Sequence, residues 1–113
     1  MRSDRERSSL IDILHNITLA EQFVQGQTLE MFCDDFMRVY AATRCLEIIS
    51  EASRRLGDDL KKRHPNITWQ DMAGAGNVYR HDYEDVAAQD VWDTVLVALP
   101  PLKAVVEREL DAG

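Results

Sequence analysis

The positions Val39, Ala42, Leu46, Ile49, Ser53 and Leu56 constrain this chain more than any other feature of its sequence. Their steps alternate between three and four, the spacing of one helical face packed against another helix. Beside this seam runs a second stripe of small or apolar residues, Ala41, Cys45, Ile48 and Ala52. A helix with two adjacent apolar faces either lies at the centre of a bundle or meets a partner subunit. Residues 35–56 are therefore expected to form the longest helix, with Gly57 as its C-terminal cap.

The flanking segments carry the same periodicity. Residues 8–24, SSLIDILHNITLAEQFV, place apolar side chains at helical spacing, with Ser8 or Ser9 as N-cap and Gly26 as terminator. Thr28, Met31 and Phe32 suggest a short helical turn, after which Asp34 can cap the long helix. Asp58 to His64 reads as a short charged helix stopped by Pro65. A further helix starts near Thr68 and runs through WQDMAGAGNVYRH. Asp85 can cap the next, in which Val91, Trp92, Val95, Leu96 and Leu99 pack inward. Pro100-Pro101 forces a break, and Pro101 suits the start of a final helix ending near Leu110. No segment shows a period of two, and there is no internal repeat. The expectation is an all-α fold, an antiparallel four- to five-helix up-and-down bundle that forms a homodimer. A single domain spans 1–113, with 1–7 disordered.

Composition excludes several functions. Of 113 residues, 45% are hydrophobic and 29% charged, the balance of a folded globular chain. No apolar run approaches the ~18 to 20 residues needed to span a bilayer. The start, MRSDRERSSL, lacks the apolar stretch of a signal peptide, so a cytoplasmic location without membrane contact is expected. In that reducing compartment Cys33 and Cys45 are expected to stay unpaired. No pair of histidines has metal-ligand spacing, so no metal and no cofactor is expected. A net charge of -7 disfavours general nucleic-acid binding, including DNA. RNA cleavage remains open where a few cations gather in one cleft.

The stretch GAGNVYRHDY, residues 74–83, joins weak helix formers to the densest group of hydrogen-bonding side chains in the chain. Gly74 and Gly76 each cost a helix ~1 kcal/mol relative to alanine, and close crossing of a second helix is one explanation. It does not account for the polar residues that follow. Asn77 and His81 share a helix face, with Arg80 beside them. A histidine can move protons and an arginine can hold a phosphate. Cleavage of RNA through its 2′-hydroxyl needs an acid, a base and a cation, and no metal. Tyr83 converges with His81 only if the helix ends or distorts near residue 82. A histidine at a solvated helix end, interacting with the dipole, is the plainer alternative. On the long helix Arg44, Glu47, Glu51 and Arg55 form a polar stripe whose ordinary reading is a solvated face; Arg44 and Glu51 are also candidates to border a cleft. His15 is read as a helix-face residue without a role.

Several blocks together resemble the HepT-like family: RCLEIISEASRRL at 44–56, ITWQDMAG at 67–74, NVYRHDY at 77–83, and VWDTV at 91–95 followed by LPPLK. The resemblance covers about residues 10–110. It implies an all-α bundle that dimerises, with a cleft near the dimer interface. It also implies a metal-independent ribonuclease toxin with an Arg-x4-His-x-Tyr motif, whose partner is a minimal nucleotidyltransferase antitoxin that attaches AMP to the motif tyrosine. Carried over, the histidine falls on His81, the tyrosine on Tyr83 and the asparagine after the family arginine on Asn77. The arginine position holds Gly76, and Arg80, one helical turn on, can reach back toward the space at 76. The catalytic set expected is thus His81, Arg80, Asn77 and Tyr83, with Tyr83 as AMP acceptor. The alternatives are a catalytically silent dimer that binds a nucleotidyltransferase or a nucleotide through the same cleft, and a purely structural dimer.

Overall fold

A computed structural model of the chain describes residues 2–78 and 84–113. It contains seven α-helices: α1 (Asp4–Val24), α2 (Leu29–Asp34), α3 (Phe36–Arg54), α4 (Asp58–Arg63), α5 (Trp69–Val78), α6 (Glu84–Asp93) and α7 (Leu99–Ala112). A π-helical turn, Thr94–Ala98, joins α6 to α7. The fold is all-α, with no strand among the described residues.

The expected seam of α3 is buried at every position: Val39, Ala42, Leu46, Ile49, Ser53 and Leu56. Cys45 and Ala52 of the second stripe are buried as well, whereas Ala41 and Ile48 are half-buried. The helix is central, enclosed by α1 on one side and α5 on another, with α2 and α6 closing its amino-terminal half. Against it α1 presents Leu10, Ile13, Ile17, Ala20 and Val24. Each such side chain contributes roughly 1.5 to 3 kcal/mol on burial. The polar residues on that face bond within their own helix, Ser9 Oγ donating to Arg5 O and Asn16 Nδ2 to Asp12 O. Phe32, fully buried, holds α2 to α6 through a tilted contact with Trp92, centroids 5.4 Å apart.

Helix boundaries differ from expectation where long-range partners intervene. The cap of α1 is Ser3, whose side chain accepts from Glu6 N, rather than Ser8 or Ser9. Residues 1–7 were expected to be disordered, yet α1 begins at Asp4 and Arg2 is tied to the bundle. Asp35, not Asp34, caps α3. Gly57 does not end α3 in the left-handed conformation; it is the N-cap of α4 with φ -72°. Its N–H donates to Glu6 Oε2 at 2.9 Å, where a Cβ would itself lie 2.9 Å from that oxygen. Close approach of Glu6 explains this glycine better than turn geometry. Asp85 falls inside α6, which begins at Glu84. The two prolines impose no gap: Leu99 N–H bonds Thr94 O across the π turn, and Pro100 and Pro101 follow in the first turn of α7. There an N–H would have no helical partner, so its loss costs little.

One buried carboxylate ties the ends of the chain together. Glu109 of α7, 6% exposed, accepts from Arg2 Nη2 at 2.6 Å and Arg63 Nη2 at 2.8 Å, and its Oε2 lies 2.6 Å from His64 Nε2. The hydrogen bond from Arg63 chiefly, then those from Arg2 and His64, hold its carboxyl at about 2 rather than 4.5, against the opposing effect of burial. Because the folded value is the lower one, the stabilisation is complete above about pH 4.5 and is lost as pH falls toward 2. Glu109→Gln is expected to cost on the order of 3 kcal/mol in urea unfolding at pH 7, since Arg2 is left buried beside a neutral partner. The same variant should show a much shallower loss of stability across the acid limb.

Candidate functional site

The carboxyl end of α5 is positioned by α3 and α4. Trp69 Nε1 donates to Lys61 O and His64 O, so α5 sets out beside the end of α4. Ser50 Oγ, buried on α3, donates to Met72 O at 2.9 Å, and Arg54 donates to Ala73 O. From there α5 runs back along α3. Val78 lies six residues beyond Met72, which carries it about 9 Å past Ser50, to the level of Arg44. Asn77 and Val78 form the last turn of α5, and Glu84 opens α6. Of the expected catalytic set, Arg80, His81 and Tyr83 lie outside the described residues. Asn77 is in α5, in line with the expected helix.

Gly74 can be tested directly against the close-crossing explanation. A Cβ built on it meets nothing within 4 Å. No second helix approaches there, so the space beside this turn of α5 is open.

On α3, Arg44 is exposed and makes no printed contact with other described side chains. Glu51 is also exposed and pairs with Arg55 at 3.0 Å, as the solvated-face reading of that stripe expects. Such an exposed i,i+4 pair is worth a few tenths of a kcal/mol. Arg38 is committed elsewhere: it pairs with Asp35 and donates to Phe23 O. His15 is exposed on α1, as expected of a helix-face residue. Burial pushes the Cys45 thiol up, away from nucleophilic behaviour.

Two aromatic side chains escaped the sequence reading. Phe36 and Tyr40 are 55% and 66% exposed, and their rings stack with centroids 6.5 Å apart at 23°. With Thr43, Glu47, Ser50 and Arg54 they continue, in steps of three and four, the face of α3 along which α5 lies. Their i,i+4 spacing was visible, but only the fold reveals that α5 stops short of them. A groove of about 750 Å³ adjoins Phe36, bordered by Met31, Asp34, Asp35, Met37 and Arg38. Among the described residues no cluster of His, Cys, Asp and Glu forms a metal-binding group, and no helix is long and apolar enough to cross a membrane.

Comparison with known proteins decides the family. Residues 13–109 match the family described as Ribonuclease HepT-like, a span running from the first turns of α1 almost to the end of α7. The chain belongs to the HepT-like ribonuclease family. A protein of Thermococcus cleftensis named "Probable ribonuclease HepT" is 37% identical over 99 residues, which cover 88% of this chain and 90% of that one. A Methanocaldococcus jannaschii protein named as a candidate RNase is 33% identical over 101 residues, covering 89% and 93% of the two chains. A Caldanaerobacter subterraneus protein named likewise is 31% identical over 104 residues, covering 92% and 93%. No solved structure matches the chain. HepT-like membership thus rests on the whole bundle rather than on the motif alone.

Gly74→Ala is expected to stabilise the chain by up to about 1 kcal/mol, because the site is helical and the added methyl meets open space. Thermal unfolding followed by circular dichroism would show a rise in Tm; a fall would place an unseen neighbour against Gly74.

Proposed function

We propose that this HepT-like chain is the toxin of a toxin–antitoxin pair, a metal-independent ribonuclease acting in the cytoplasm on RNA and not on DNA. The observation that carries the reading is the family match across residues 13–109, which includes the motif histidine and tyrosine, His81 and Tyr83. His81 acts as general acid and base on the 2′-hydroxyl and the leaving oxygen. Arg80 supplies the cation for the phosphate, replacing the arginine that Gly76 displaces. Asn77 orients the substrate by hydrogen bonding, and Arg44 borders the cleft; Glu51, paired with Arg55, lies at its margin. Tyr83 is a site residue and the acceptor of AMP from a nucleotidyltransferase antitoxin. The chain works as a homodimer, for which Met37, 83% exposed, with Ala41 and Ile48 offers an apolar stripe at helical spacing.

A second reading is favoured by Gly76 and by the net charge of -7. A bundle that has lost its motif cation without replacement would be catalytically silent, and would serve to bind the nucleotidyltransferase or a nucleotide through the same cleft.

Cleavage of RNA in EDTA separates the two. The chain should cut, His81→Ala should lose roughly two to four orders of magnitude in rate, and Arg80→Ala should lose a comparable amount. Restoring the motif arginine with Gly76→Arg should then recover much of the Arg80→Ala defect. An inert wild-type chain that still co-purifies with a nucleotidyltransferase would establish the silent binding role.

A further inference from the structure

The exposed ring pair on α3 is the feature that the reading above leaves without work. A folded chain leaves single apolar side chains at its surface without consequence, but Phe36 and Tyr40 are adjacent, mutually stacked and each more than half exposed. They occupy the stretch of the α5-facing stripe that α5 does not reach. Arg44 follows Tyr40 by one helical turn and stands at the level where α5 ends. The ring pair, a cation and the end of α5 therefore come together on one side of one helix.

We propose that Phe36 and Tyr40 form a stacking platform for the bases of single-stranded RNA, with Arg44 receiving the adjoining phosphate. The inference rests on the ribonuclease reading, and it assigns the substrate subsite next to the cleavage residues. Every base has a π-face, so a pair of exposed rings holds an unpaired strand with little regard to sequence. Charge fixes the direction in which the strand runs. Asp34 and Asp35 stand at the amino end of the platform, by the groove, and repel a phosphate there. Arg38, near them, is already held by Asp35 and the Phe23 carbonyl. Arg44 is thus the cation left for a sugar–phosphate backbone, which directs the strand away from α2 and toward the end of α5. A few stacking contacts plus one arginine also suit an acidic protein, because affinity then depends little on a basic surface.

A second protein surface covering the same rings is the competing possibility, and substitution by leucine distinguishes the two. Leucine keeps the apolar bulk that a protein contact uses and removes the flat face that a base needs. The test measures binding of fluorescein-labelled ten-nucleotide oligoadenylate and oligouridylate to the full chain carrying His81→Ala, so that the RNA stays intact. Phe36→Leu/Tyr40→Leu should weaken oligoadenylate binding about tenfold or more and oligouridylate binding less, since purines stack better. Tyr40→Trp should bind at least as tightly as the parent. Arg44→Gln should lower the slope of log affinity against log salt by about one. In the His81-containing chain the leucine pair should raise KM with kcat little changed, while light scattering shows an unaltered assembly.

Unchanged binding and KM in the leucine pair would overturn the platform while leaving the ribonuclease reading intact. So would a change in assembly state, which would make the rings a protein contact. If the unsubstituted chain neither binds nor cuts RNA, the ribonuclease reading itself fails and the platform falls with it.

Discussion

A helix that is apolar over most of its circumference cannot be left at a surface, and α3 imposes that requirement on everything else. Its seam and part of its second stripe are buried, so neighbours must stand on several sides. The α1 helix meets it along most of its length, α5 takes the adjacent face, and α2 and α6 close around the amino-terminal half. The remaining elements serve these contacts. α4 redirects the chain so that α5 can return along α3, and the Trp69 indole N–H fixes that return by bonding two α4-end carbonyls. The position of the proposed active residues, just beyond the end of α5, follows from the central helix.

The helices were legible in the sequence wherever burial was periodic. The α3 seam, the inward face of α1 and the inward set of α6 read directly from spacings of three and four. What the sequence concealed was set by partners distant along the chain. Gly57 looked like a helix terminator but accommodates Glu6, a residue from the opposite end of the chain. The amino-terminal residues looked disordered because their charges had no visible counterpart; Arg2 finds Glu109 only once the bundle has closed. The glycines of α5 invited a close crossing, and at Gly74 there is open space instead.

The site was legible in a different way. His81, Tyr83 and the missing arginine at 76 came from resemblance, and the family match now spans nearly the whole bundle. Spacing alone could not have told a catalytic histidine from a solvated one at a helix end, since both demand the same residues there. Exposure was the quantity that no local pattern contained. Phe36 and Tyr40 share a face with buried Ser50, and a reader of periodicity would bury them too; they remain outside only because α5 is too short to reach them.

The π turn at Thr94–Ala98 has a consequence for how this fold tolerates change. A wider turn holds one residue more than an α-helical path of the same height, so it sets the azimuth of all that follows. Deleting a single residue there would straighten the path and swing α7 by about 100° around its axis. Glu109 would then face away from Arg63 and His64, and Val106 would leave the core with it. The one irregular turn in the chain thus works as a phase setting, keeping the last helix in step with a cluster built from the first residues. Length variation among relatives should accumulate elsewhere.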